Sequence, residues 1–324
     1  MNGIQNYDEK IVRMINHKLE DYPDLTDFVD YLSDKGSLNT NYNYLNQIIR
    51  FLEKAKKTDS ALTDSDYHNY LDSLAGKTAG YQRCAYFALK KYSEYLYLNK
   101  ITTKDPMKYI AAPKSGESKK TKDKRENAYL TREEIEITLA NLEYGVGSHQ
   151  AKAFQEQWKE RDTAIMLIFL STGISSSTLY KLDLNSVNLE NATLTVKGRG
   201  NKTQIFVLPE RTLRALHAWI IKRSILLQGK DQEALFISKY RSRLSQCAIS
   251  DLVKKYTFDV EGKQITPQKL RATYGVQLYN ETKDLRLVQE QMGHVNLQST
   301  ELYIRDNQSI NSKRAADIMS KFLD

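Results

Sequence analysis

Near its C-terminal end the chain reads MGHVNLQSTELYIR, which sets the Gly293-His294 pair nine residues ahead of Tyr303 and Thr300 three residues before that tyrosine. Upstream stand TPQKLRATYG with Gln268 and Arg271, VKGRGNK with Lys197, Arg199 and Lys202, and STGISSSTLYKLDL with Ser175. A phenol is a poor nucleophile at neutral pH because its pKa lies near 10, so it needs positioning and positive surroundings before it attacks anything. Guanidinium groups grip oxyanions in a fixed fork, and an amide such as Gln268 donates to them. Each residue alone has a plainer reading: among 21 tyrosines most serve packing, a lone histidine is usually satisfied locally, and Arg271 reads equally as a helix salt bridge.

The elements around these residues divide the chain in two. Before residue 113, Leu45, Ile48, Ile49 and Leu52 recur with helical spacing, and Ala85, Leu89, Tyr92 and Leu96 form a second stripe. Between them, Thr63 with Asp66 makes a capping box that opens a helix through Tyr70 and Leu74. PKSGESKKTKDKREN, residues 113–127, lacks large apolar residues and reads as a linker. Over residues 114–125 it carries six positive charges, Lys119 and Lys120 among them, against two negative. It is either a solvated tether or a strap lying along phosphates. Beyond it, Thr131 and Glu134 cap a further helix, and RDTAIMLIFLSTG is an apolar helix ending at Gly173. LDLNSVNLENATLTVKGRGNKTQIFVLP alternates apolar with polar residues and turns through Gly198-Arg199-Gly200-Asn201, which predicts a hairpin. Helical patterns resume at Arg211 and are expected to run almost to the C-terminus.

With 324 residues and a hydrophobic fraction of 40%, the chain has enough apolar material for two domains. Its 48 Lys and Arg exceed its 40 Asp and Glu, which favours a polyanionic partner. Arg83, Lys90 and Lys91 sit on or beside the second stripe, where they form either a DNA-facing side or an ordinary solvated face. Cys84 and Cys247 match no redox or metal spacing, so no disulfide framework and no metal are expected. The N-terminus is polar, and no apolar run approaches the length of a membrane span. The expectation is a reduced cytoplasmic protein, nucleoid-associated when bound to DNA, with no membrane partner.

In order and spacing, the motifs resemble the landmarks of the tyrosine recombinase (phage integrase) family, and the likeness covers nearly the whole chain. The family fold implied is mainly α with a small antiparallel β-sheet: a helical core-binding domain (1–112), a basic linker (113–127) and a mixed α/β catalytic domain (128–324), closing as a C-shaped clamp on double-stranded DNA. In that family the tyrosine attacks a phosphodiester, giving a 3′-phosphotyrosyl link and a free 5′-hydroxyl, with no cofactor. Two arginines and one or two histidines hold the nonbridging oxygens, and a hairpin lysine protonates the leaving oxygen. The active form is a tetramer on two duplexes, so a dimer or tetramer on DNA is expected.

Carried over by position, Tyr303 falls on the nucleophile, His294 on the histidine before it and Arg271 on the second arginine. Ser175 occupies the position of the first arginine, and Thr178 that of its neighbouring acid. Gln268 stands where a histidine usually precedes the second arginine. Arg199 holds the hairpin lysine position, with Lys197 and Lys202 near enough to substitute; arginine itself is a poor proton donor. Losing one preorganised charge donor costs about 10²- to 10³-fold in rate. Two functions therefore follow from the resemblance: recombination or integration of a mobile element through Tyr303, or DNA binding in a regulatory or architectural role after loss of cleavage. A helical protein-interaction module is a third reading, which the basic linker and paired domains argue against.

Overall fold

The computed structural model describes residues 2–33, 36–113, 129–197, 203–260 and 263–293, with side chains from residue 9 onward. The chain divides into two compact units, residues 1–118 and 119–324. The expected linker lies almost wholly outside the described residues, as do Lys119, Lys120, Arg199, Lys202, His294 and Tyr303.

The first unit is helical: α1 (Asn2–Asp21), α2 (Thr26–Ser33), α3 (Leu38–Ala55), α4 (Asp64–Asp72) and α5 (Ala79–Leu98). Leu45 and Ile48 of α3 and Ala85, Leu89, Tyr92 and Leu96 of α5 are fully buried, as their spacing predicts, and these two helices pack against each other. Phe28 of α2 meets Tyr92 edge-on at 4.9 Å between ring centroids, the geometry the aromatic quadrupole favours. The Thr63–Asp66 capping box forms, and Lys57 Nζ adds an ion pair to Asp66 at 2.8 Å. Hydrogen bonding from Lys57, then from Thr63, holds the Asp66 carboxyl below its ordinary range. Its stabilisation is therefore present above that range and lost as pH falls through the lowered value. Asp66→Asn is expected to lower the melting temperature at pH 7 and to leave it unchanged at pH 2, which a pair of thermal melts checks.

The second unit is built around α8 (Lys159–Thr172), with α6 (Arg132–Tyr144) and α7 (His149–Glu156) before it. Ala164 through Phe169 are all buried, because a helix apolar all round has to be enclosed. It packs against α6, α10 (Glu210–Leu227) and α12 (Pro267–Thr282). After the short α9 (Ser176–Tyr180) comes a sheet of order β1-β2-β3: β1 (Val187–Asn188), β2 (Thr193–Lys197) and β3 (Thr203–Val207), all antiparallel. Leu194, Val196 and Phe206 turn inward, while Ile205 and Val207 face out. The remaining elements are α11 (Gln246–Tyr256), before α12, and α13 (Leu285–Met292), after it.

The expected hairpin forms as β2 and β3, and a third strand, Val187–Asn188, adds to it by pairing with Leu194 and Thr193. One expectation needs correction. Helix is not continuous from Arg211: between Leu227 and Gln246 the chain is irregular, opening with Gln228 and Gly229 at positive φ and returning through the bridges Asp183↔Ala234 and Ile237↔Arg243. Left-handed residues end the helix, and Trp219 then pins the return by donating from its ring nitrogen to Leu235 O at 2.9 Å.

Candidate active site

The apolar helix α8 ends at Gly173 (φ 61°), whose N–H reaches Phe169 O. A Cβ at Gly173 would lie 2.3 Å from Cδ1 of Tyr274 on α12, so this position requires glycine for both backbone and space. Burial raises the pKa of the Tyr274 phenol. One turn earlier on α12, Arg271 donates from Nη1 to Gly173 O at 2.6 Å and from Nη2 to Met292 O. Gly275 lets Met292 come close, since a Cβ there would sit 2.6 Å from its sulfur. Arg271 thus ties the turn leading into Ser175 to the last residue of α13, two residues before His294.

The hairpin joins the same assembly. Gln204 on β3 donates through Nε2 to Gln291 O at 2.9 Å and to Glu290 O at 3.3 Å. Lys197, exposed at the end of β2, pairs in register with Thr203. The carbonyls that close α13 are therefore satisfied from two sides, by the hairpin and by Arg271. Nothing in the sequence signals these bonds, because their acceptors are backbone atoms.

Ser175 is the N-cap of α9. Its Oγ accepts from Thr178 N at 3.1 Å and lies 2.8 Å from both Ser177 Oγ and Thr178 Oγ1. Ser175, Ser176 and Ser177 line a cleft of about 320 Å³ with Gln246, Ser250, Thr266, Pro267 and Gln268. Among the described residues, the lining carries no charged side chain. Residues from the first turns of α11 and α12, capped by Ser245 and Thr266, are part of the lining, and helix N-termini favour an anion. Ser175 and Gln268 both line this cleft; Gln246 and Ser250 join them and were not singled out from sequence.

Arg161, in the first turn of α8, is engaged elsewhere. Its Nε and Nη2 donate to Asp162 Oδ1 at 2.9 and 2.8 Å, and its Nη1 to Ile237 O at 3.0 Å. The other oxygen of the fully buried Asp162 accepts from Lys255 Nζ at 3.0 Å and Tyr256 Oη at 2.9 Å. Burial and then Asp162 push the Tyr256 phenol far up. In the first unit, Arg83 donates to Pro113 O at 3.1 Å and Lys91 pairs with Glu94 at 2.7 Å, while Lys90 is exposed. Among the described residues, no group of three or more His, Cys, Asp and Glu is placed to hold a metal ion, and no helix is long and apolar enough to cross a membrane.

Comparison with known proteins places these observations. The model of the phage integrase family matches residues 128–309, a span that includes every motif position from Ser175 to Tyr303. The chain is 31% identical over 217 residues to the tyrosine recombinase XerC of Alcanivorax borkumensis, covering 66% of this chain and 65% of that protein, a little under two thirds of its length. It is 26% identical over 283 residues to XerD of Pasteurella multocida, covering 84% of this chain and 89% of that one. Among solved structures, the XerH site-specific recombinase bound to its difH substrate aligns with a TM-score of 0.65 and 21% identity over 90% of this chain and 83% of that one. A lambda integrase dimer bound to a core site aligns at 0.62 and 16% identity, over 88% and 94% of the two chains. Both share the fold, mainly helical with a small antiparallel sheet.

Proposed function

Because the chain belongs to the phage integrase family of tyrosine recombinases, we propose that it recombines double-stranded DNA by cutting and rejoining strands through Tyr303. The phenol oxygen attacks phosphorus as its proton passes to solvent, and the bond to the 5′ oxygen breaks. The products are a 3′-phosphotyrosyl link and a 5′-hydroxyl, whose leaving oxygen takes its proton from Lys197 or Lys202. The ester stores the bond energy, so reversal needs no ATP. The observation that carries this reading is the double tie of Arg271 to Gly173 O and Met292 O: it brings the Ser175 position and the approach to His294 to one place although the first arginine is absent. The cleft, whose described lining includes the starts of α11 and α12, receives the phosphate by dipole and hydrogen bond. Arg271, His294 and Arg199 supply the charge, and Gln268 a further donor.

The helical unit (1–112), with Arg83, Lys90 and Lys91, grips the flanking duplex. The linker (113–127), with Lys119 and Lys120, lies along phosphates, and the protein assembles as a dimer or tetramer on its sites in the cytoplasm. The test is to recover bound duplexes by selection from random or genomic fragments and to place two copies of the selected site in direct repeat on a plasmid. Excision of the intervening circle by the wild-type chain and none by Tyr303→Phe supports the reading; absence of excision by both, with binding intact, supports a DNA-binding role without cleavage. Phosphate contacts also predict an affinity that falls steeply with salt, so salt-independent binding contradicts the DNA-clamp reading.

A further inference from the structure

Within the irregular segment that precedes α11, Ser238–Ser242 forms a tight exposed turn. Ser238 N donates to Ser242 O at 2.8 Å and Arg241 N to Ser238 O at 2.9 Å. The two serine hydroxyls lie 3.0 Å apart, and Tyr240 N donates to Ser238 Oγ at 3.2 Å. Arg241 adopts a left-handed conformation (φ 61°) and is held from both ends: its Nη2 donates to Gln228 Oε1 at 2.7 Å, and its carbonyl accepts from Gln232 at 3.2 Å. At the base of the turn, Arg243 donates to Tyr180 O at 2.9 Å, to Leu182 O at 3.0 Å and to Asp183. The turn is thereby bolted to the end of α9, the helix whose first residues line the cleft.

All this order presents two side chains to solvent. Tyr240 is 76% exposed, and Lys239 Nζ lies 5.0 Å from its ring centroid. From Ser238 to Ser245 the chain carries Lys239, Arg241 and Arg243 and no carboxylate. A cation beside an aromatic on a preorganised turn suits a nucleic acid, where the amine meets a phosphate and the ring meets a base or sugar. The position relative to the cleft is bounded as well. Gln246 follows Tyr240 by six positions, so their Cα atoms lie at most about 21 Å apart. At about 3.4 Å of rise per base pair, that is about six base pairs of duplex.

The geometry points to this turn as a second DNA contact, with Lys239 on a backbone phosphate and Tyr240 against a base edge within about six base pairs of the phosphate in the cleft. The inference rests on the DNA-binding reading above and names where in the second unit sequence preference is set. The test measures the affinity of the full chain for a selected 30-base-pair duplex and for one of scrambled sequence, as a function of salt. Tyr240→Ala is expected to weaken binding to the selected duplex about tenfold while sparing the scrambled one, and Tyr240→Phe to bind as wild type. Lys239→Gln is expected to weaken both duplexes and to reduce the slope of log affinity against log salt by about 1. Tyr144→Ala, which removes an equally exposed aromatic at the end of α6, controls for loss of exposed surface and leaves both affinities unchanged. If wild type binds with a steep salt slope while Tyr240→Ala and Lys239→Gln match it, the turn is not a contact and the DNA-binding reading survives. If wild type itself binds neither duplex, that reading falls and this inference with it.

Discussion

Ser175→Arg is expected to raise the rate of strand cleavage about 10²- to 10³-fold, the usual worth of one preorganised charge donor at a developing oxyanion. The side chain has somewhere to go, because Ser175 lines an open cleft of about 320 Å³ in which no described residue is charged. It also has a cost. Ser175 Oγ caps α9 by accepting from Thr178 N, and removing an N-cap costs about 1 kcal/mol. The variant should therefore cleave faster and melt slightly lower. Adding Thr178→Asp returns an acid to the position beside it and an acceptor for the introduced guanidinium, so the double variant should exceed the single one. Single-turnover cleavage of a selected site, with affinity measured alongside, checks this. An unchanged rate at unchanged affinity would mean that the missing arginine is not what limits the chemistry.

Asp162→Ala is expected to destabilise the second unit by about 3 kcal/mol, the lower end of the range for breaking a buried ion pair. One carboxylate serves Arg161, Lys255 and Tyr256; without it a guanidinium whose side chain is only 12% exposed loses its counter-charge. The lower end applies because Lys255, 34% exposed, regains water. Asp162→Asn keeps an acceptor for Tyr256 and should cost less than the alanine. Both tryptophans, Trp158 and Trp219, are buried in this unit. Denaturant titration followed by tryptophan fluorescence therefore reports it selectively, with a lower midpoint and an unchanged slope expected. Equal midpoints for Asp162→Ala and wild type would contradict the role given to this cluster.

Local signals were the legible part of this fold. Thr63 with Asp66 and Thr131 with Glu134 cap their helices as the sequence pattern predicts, because capping joins residues three apart. Gly173 ends α8 for an equally local reason. The two-residue strand β1 is too short to show alternation, and the segment from Gln228 to Ser245 takes its form from distant partners, Leu182, Asp183 and Tyr180. The same limit governs the site. Ser175 and Gln268 were identifiable by their order in a motif series. Gln246 and Ser250 are ordinary polar residues until α11 is brought against α9, and Gln204 matters only through carbonyls 86 and 87 positions away. The motif series points to Arg271, and its bonds to Gly173 O and Met292 O give it a structural duty that no motif records.

The most direct test of the central claim uses a selected duplex carrying a nick beside the scissile phosphate, so that the released fragment diffuses away and the attached strand is trapped. Denaturing electrophoresis should show a covalent protein–DNA adduct, slow to accumulate because Ser175 stands where an arginine would, and absent with Tyr303→Phe at equal affinity. No adduct from the wild-type chain on DNA that it binds, or an adduct that persists in Tyr303→Phe, would contradict strand cleavage through Tyr303.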